Sequence, residues 1–269
     1  MTRTQISLLA SQWEFTGPDG NTVSVSLPHT WNAKDGQDGG NDYWRGTCTY
    51  SAVFAAPEFD AASQEVWLQF EGVNSSATVL LNGQQLCTHD GGYSTFRVHI
   101  TDLLWSENVL TVEVDNSVND RVYPQKADFT FYGGIYRDVS LLVVNKSHIA
   151  LGHFGDTGVK ITPALKEGSA DIQVETLVEG EGTVTVELLD AEGNSVARGE
   201  GAKTTLHLDA PHLWNGVKDP YLYTCIVRLL QDGKPVDKVT TKVGIRSFTV
   251  DAKKGFFLNG KPYPLHGVS

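Results

Sequence analysis

The stretch "EVWLQFEGVNSSATVLLNGQQL", residues 65–86, decides the fold. Apolar and polar residues alternate through "EVWLQFEGV" and again through "ATVLLNGQQL", which is the pattern of half-buried strands. The second run folds over Asn82-Gly83, a pair suited to a tight hairpin because both positions tolerate positive φ. Outward from this stretch the same period recurs in "TFRVHITDLL" and "NVLTVEVDN", after turn-rich gaps. No run of a dozen residues shows a 3.6-residue period, so the chain reads as nearly all β. Many short strands without a repeating period favour a sandwich over a barrel. This first set ends at "RDVSLLVVNKS", near residue 147.

A second group of about seven strands follows the Gly-rich passage "LGHFGDTG" and includes "DIQVETLVEG", "GTVTVELLDAEGNSVARGEG", "TTLHLDA" and "YLYTCIVRLLQDGKPVDKVTTKVGIRSFTV". The count suits an immunoglobulin-like sandwich, although no cysteine pair straddles a tryptophan. "DAEGN" and "QDGKP" supply hairpin turns, whereas "APHLWNGVKDPYLY" reads as an extended approach to the next strand. The expected layout is one domain at 1–147, another at 148–248 and a connector at 249–269. Within that connector "GFFLNGKPYPLHGVS" forms a hairpin over Asn259-Gly260, and its last strand lacks a partner. Such a strand is either an exposed edge or the lead into a further domain.

The 269 residues, 40% hydrophobic and 20% charged, can bury proper cores. A formal net charge of -11 opposes nucleic acid and anionic lipid as partners. Cys48, Cys87 and Cys225 are odd in number and widely spaced, which reads as reduced thiols rather than a zinc site or a disulfide framework. The start "MTRTQISLLASQWEF" lacks the apolar core of a secretion signal, and no run is long enough to span a bilayer. The expected location is cytoplasmic.

No GxSxG, HExxH, P-loop or dinucleotide fingerprint is present. His29, His89 and His266 sit beside turns or strand ends and read as solvated or capped imidazoles, and most acids support turns, as in "PDG" and "HDGG". Two long loops carry more information: "WNAKDGQDGGNDYWRG" (31–46) and "NSVNDRVYPQKADFTFYGGIYRDV" (116–139) mix aromatics with Asp and Asn. A sugar ring stacks its C–H face on such rings while its hydroxyls meet planar donors and acceptors. Composition leaves this reading level with one in which the aromatics plug the ends of a sandwich.

"SLPHTWNAKDGQDGGNDYWRGTCTYSAVF", "VWLQFEGVNSSATVLLNGQQL", "VDNS", "FYGGIYRDVSLLVV", "LWNGVKDPYLY", "VGIRSFTV" and "FFLNGKPYPLHGVS" together resemble, in this order, glycoside hydrolase family 2. The resemblance covers essentially the whole chain. It implies a jelly-roll, galactose-binding-like sandwich, then an immunoglobulin-like sandwich, then a (β/α)8 barrel beyond Ser269 that carries the acid/base and nucleophile glutamates. The implied chemistry is retaining hydrolysis of β-glycosides, with β-galactosidase preferred and β-glucuronidase or β-mannosidase as alternatives. The implied partners are that barrel and, through the complete enzyme, a β-linked saccharide; homo-oligomerisation is left open. No catalytic residue and no cofactor are expected within this chain.

Residue by residue, the resemblance implies that Asn116 reaches the sugar from the end of its strand and that Asp128 is a loop acid facing the same pocket, a position that also suits a turn-stabilising acid. Asp42 and Asn32 are further substrate-binding candidates beside "DYWRG", whose Arg45 is expected to brace the fold through ion pairs rather than bind substrate, and Arg137 is expected to pair with Asp138. "TYSAVF" departs from the family by lacking the basic residues that usually follow its Tyr. A self-sufficient lectin-like module and an adhesion or scaffold protein are the competing readings from other classes.

Overall fold

The structure, a computed structural model, describes residues 3–9, 11–34, 43–123 and 130–267. Asp42 and Asp128 lie outside the described residues. The regular structure of the described chain is almost wholly strand, and the chain divides into two compact units.

The first unit comprises Arg3–Val144 together with Leu151–Asp156. Its larger sheet has six strands, in the order Thr22–Val25, Trp13–Thr16, Thr47–Ala55, Glu107–Asp115, Ser76–Leu81 and Gln84–Asp90. Its smaller sheet has four, in the order Thr4–Ser7, Val139–Asn145, Gln64–Phe70 and Phe96–His99. This is the expected jelly-roll sandwich. Alternation sets the core: Cys48, Tyr50, Ala52 and Phe54 on one strand face Leu110, Val112 and Val114 on its neighbour, and all are buried. Each fully buried side chain of the Val, Leu or Phe type contributes roughly 1.5–3 kcal/mol of transfer free energy.

The strand at Val139–Asn145 breaks this alternation, because its first six residues are all buried. Val139, Leu141 and Val143 join the main core, while Leu142 and Val144 pack with Leu151 and Trp67 on the other face. Leu151 arrives because the Leu151–Asp156 segment is pinned to the first unit. The Arg97 guanidinium donates to the carbonyls of Leu151 (3.0 Å) and Asp156 (2.7 Å) and is itself oriented by Gln69 Oε1 at 2.7 Å. Gly155 adopts φ 69°, and a Cβ there would lie 1.7 Å from the Thr95 carbonyl oxygen, so only glycine fits. The "LGHFGDTG" passage is therefore divided: its first six residues belong to the first unit, not to the second.

The second unit, Asn145–Ala150 and Thr157 onward, packs a three-stranded sheet (Val159–Lys166, Ser169–Thr176, Lys203–Asp209) against a four-stranded one (Ser195–Glu200, Thr183–Leu189, Tyr223–Gln231, Lys234–Val243). Seven antiparallel strands in two layers give the immunoglobulin-like sandwich. Asp237, fully buried, ties the short Asn145–Ala150 segment into this unit by accepting the Ile149 N–H at 2.8 Å. A small sheet of Phe248–Asp251, Gly255–Leu258 and Lys261–Pro262 follows.

The hairpin pairs take the backbone expected of them. Asn82-Gly83 has φ 51° and 80°, Asp232-Gly233 50° and 72°, and Asn259-Gly260 51° and 75°. Arg137 departs from expectation: it donates to the carbonyls of Glu71 and Tyr93 rather than to the Asp138 carboxylate. Its Nη1 thereby links two backbone carbonyls of the first unit.

Candidate functional site

Two loops of the first unit come together at their bases. The Glu107–Asp115 strand ends where Asp115 Oδ1 accepts the Ser117 N–H at 2.7 Å, a turn that swings Asn116 inward. Asn116 is fully buried. Its Oδ1 accepts the Gly46 N–H at 2.9 Å, and its Nδ2 donates to Asn32 Oδ1 (3.1 Å) and to the Phe131 carbonyl (3.0 Å). Asn32, also fully buried, receives the Gly133 N–H on the same Oδ1 at 2.7 Å and donates from Nδ2 to the Trp44 carbonyl at 2.8 Å. Thr30 Oγ1 adds a donation to the Gly133 carbonyl at 2.7 Å and accepts the Asn32 N–H. The two glycines of "FYGG" follow from this crowding, since a Cβ at Gly133 would stand 2.0 Å from the Trp31 ring.

Arg45 sits at the same junction, where its described contacts are to backbone and rings. Its Nε donates to the Asn116 carbonyl at 2.8 Å, and its guanidinium lies 5.2 Å from the centre of the Phe131 ring and 5.8 Å from that of Tyr43. Arg45, Asn74, Ser75, Tyr93, Val122 and Phe131 line a small depression beside it, joined by Tyr123. Trp44, Tyr93, Tyr123 and Tyr132 are exposed aromatics of this unit, the last held by Asn74 Nδ2 on its carbonyl at 2.6 Å. Arg121 donates to Asp90, whose other oxygen accepts from Ser76; these hydrogen bonds, Ser76's first, hold the Asp90 carboxyl below its ordinary range.

The sequence reading has Asn116 and Asn32 touching a sugar; the structure brings them together but turns both inward. Neither has exposed surface, and the Asn116 donors and acceptor are directed to protein atoms at the bases of the two loops. Asp42 and Asp128, the other two candidates, lie outside the described residues. Periodicity gave no signal for Thr30 or for the Asn32 to Gly133 bond; the doubled glycine in "FYGGIY" is the one local sign of a close approach.

The histidines behave as structural groups. His29 Nδ1 lies 2.7 Å from Tyr50 Oη within an aromatic cluster that includes Phe15, and burial pushes the imidazole below its ordinary value. His89 stacks on Phe96 at 4.1 Å, while His266 is exposed. Burial raises the thiols, Cys48 to about 12 and Cys225 to about 11, so both are protonated at neutral pH. Exposed aromatic faces thus stand beside buried amides whose hydrogen bonds go to protein atoms.

Comparison with known proteins accounts for this arrangement. Residues 39–164 match the glycosyl hydrolase 2 galactose-binding domain-like family, and residues 153–246 match glycosyl hydrolases family 2. A β-glucuronidase of Bacteroides fragilis is 36% identical over 97% of this chain and 40% of its own length. A β-galactosidase of Bacteroides ovatus is 32% identical over 91% of the chain and 30% of its length. Among solved structures, an FMN-binding β-glucuronidase from Facaelibacterium prausnitzii L2-6 superposes with a TM-score of 0.93 at 37% identity, covering 99% of this chain and 43% of that one. The chain thus spans well under half the length of these relatives. Its galactose-binding-like sandwich and the immunoglobulin-like sandwich after it are the N-terminal domains of glycoside hydrolase family 2, the family to which the chain belongs.

Proposed function

We propose that the chain forms the two accessory β-domains of a retaining β-glycosidase, and that bond cleavage is carried out by a barrel encoded downstream of Ser269. The observation that carries this reading is near-complete coverage of the chain by relatives of which it matches only 30–40%. In a retaining enzyme two carboxylates stand about 5 Å apart across the scissile bond, one acting as nucleophile and the other as acid and then base. The β-domains supply the wall beside that pocket, with the described bases of the two aromatic loops as part of that wall.

For specificity we favour β-glucuronides over the β-galactosides preferred from sequence, because the relatives at 36% and 37% identity both carry the name β-glucuronidase. A cytoplasmic location belongs to the same proposal and is supported by three free cysteines. The experiment compares p-nitrophenyl β-D-glucuronide with the β-D-galactoside, using residues 1–269 alone and the full-length protein. Turnover is expected only for the latter and faster on the glucuronide. Cleavage by residues 1–269 alone overturns the proposal, and faster galactoside cleavage overturns its specificity.

A further inference from the structure

We propose that Asn116 and Asn32 are positioning residues that act as one device, a carboxamide clasp that sets the spacing of the two substrate-facing loops; this rests on the glycosidase reading above. The geometry is specific. One oxygen, Asn32 Oδ1, accepts from Asn116 Nδ2 at 3.1 Å and from the Gly133 N–H at 2.7 Å. The base of one loop is held through Gly46 N–H on Asn116 and the Trp44 carbonyl on Asn32. The base of the other is held through the Phe131 carbonyl on Asn116 and Gly133 on Asn32. Each carboxamide therefore binds both loops, and neither loop can shift without breaking bonds to the same pair.

The residues carried by the clasp flank it directly in sequence. Trp44 and Arg45 precede Gly46, and Tyr132 lies between Phe131 and Gly133. Trp44 and Tyr132 are exposed while their backbones are fixed to buried groups, an arrangement that presents a stacking face at a defined position. A direct sugar contact would require an unburied amide atom with spare hydrogen-bonding capacity, whereas Asn116 spends two donors and its oxygen on protein. Asparagine is needed for the pattern: an aspartate at 116 would place an acceptor against Asn32 Oδ1 and the Phe131 carbonyl, and alanine would remove the three hydrogen bonds that the Asn116 side chain makes.

The test uses full-length protein with Asn116→Ala, Asn32→Ala, the double substitution, and Thr30→Val as a milder change that removes one donation to Gly133. Kinetics on p-nitrophenyl β-D-glucuronide and β-D-galactoside are paired with amide exchange. Each single alanine is expected to lower kcat/KM about tenfold, mainly through KM, and the double variant also about tenfold rather than about a hundredfold. Thr30→Val is expected to shift KM in the same direction by a smaller factor. Exchange is expected to quicken at Gly46 and Gly133 while the amides of Val112 and Val79 remain protected. Additive losses with unchanged exchange would mean that both residues touch sugar and would overturn the clasp. Quickened exchange without any kinetic change would overturn the positioning role and leave the glycosidase reading standing. Should the unsubstituted full-length protein cleave neither glycoside, the reading of the reaction fails first and the positioning role falls with it. If the alanine variants do not fold, Thr30→Val decides by the same two readouts.

Discussion

Arg97 Nη1 donates to the carbonyl of Asp156 at 2.7 Å, across 59 residues of sequence, and so fixes a segment that leaves and rejoins the first sandwich. Replacing Arg97 with alanine strands the carbonyls of Leu151 and Asp156 and the Gln69 amide oxygen. The expected loss is about 2 kcal/mol, read as a lower urea midpoint. Faster amide exchange within 151–156 should accompany it, since those residues lose their anchor before the core opens.

Gly155→Ala is expected to be more severe. The backbone φ of 69° and a hypothetical Cβ 1.7 Å from the Thr95 oxygen force the segment to move bodily. A loss of about 3 kcal/mol or more is expected, and a melting temperature equal to that of the unsubstituted protein would contradict the placement of this segment.

A surface triad in the second unit predicts pH dependence. Hydrogen bonds that the His207 imidazole donates to Asp171 first, then to Asp209, raise it above the ordinary 6.5, and His207 and then Lys166 hold Asp171 below its ordinary 3.8. A raised imidazole stabilises the fold fully below 6.5, and that contribution fades as pH climbs through the folded value. A depressed carboxyl contributes above 3.8 and is lost as pH falls through its folded value. Melting temperature should therefore fall gently as pH rises from 6.5, and His207→Gln should flatten that slope. An unchanged slope in the variant would assign the dependence elsewhere.

Asn259 joins a hairpin to the irregular segment before it. Its Nδ2 donates to the Trp214 carbonyl (3.0 Å) and to Asn215 Oδ1 (2.8 Å), and its Oδ1 accepts the Ser247 N–H at 2.9 Å. Asn259→Ala loses all three bonds and places alanine at φ 51°. About 1–3 kcal/mol of stability should be lost; chemical denaturation followed by tryptophan fluorescence reports it through Trp214.

The sheets were legible because their chemistry is local. Alternation in "NVLTVEVD" and positive-φ pairs such as Asn82-Gly83 each specify structure within a few residues, and both strand and turn formed as expected. The site was legible only in outline. Asn116 and Asn32 are 84 residues apart, and no period or spacing says that their amides meet. The resemblance picked out both residues, yet residue type does not say that their amides are buried and bonded to backbone. In "VSLLVV" both faces are covered, and the residue that covers the second face, Leu151, comes from a Gly-rich passage that carries no strand pattern of its own.

The return of Leu151–Asp156 to the first sandwich has a consequence for dissection. From Val144 onward the backbone passes to the second unit, back to the first, and out again, three crossings within the span from 144 to 157. No single scission there yields two intact pieces: cutting after 144 deprives one half of its Arg97-bound strap, and cutting after 156 leaves the other without the Ile149 strand that Asp237 holds. Swapping either module between relatives would have to carry this laced segment across as a whole.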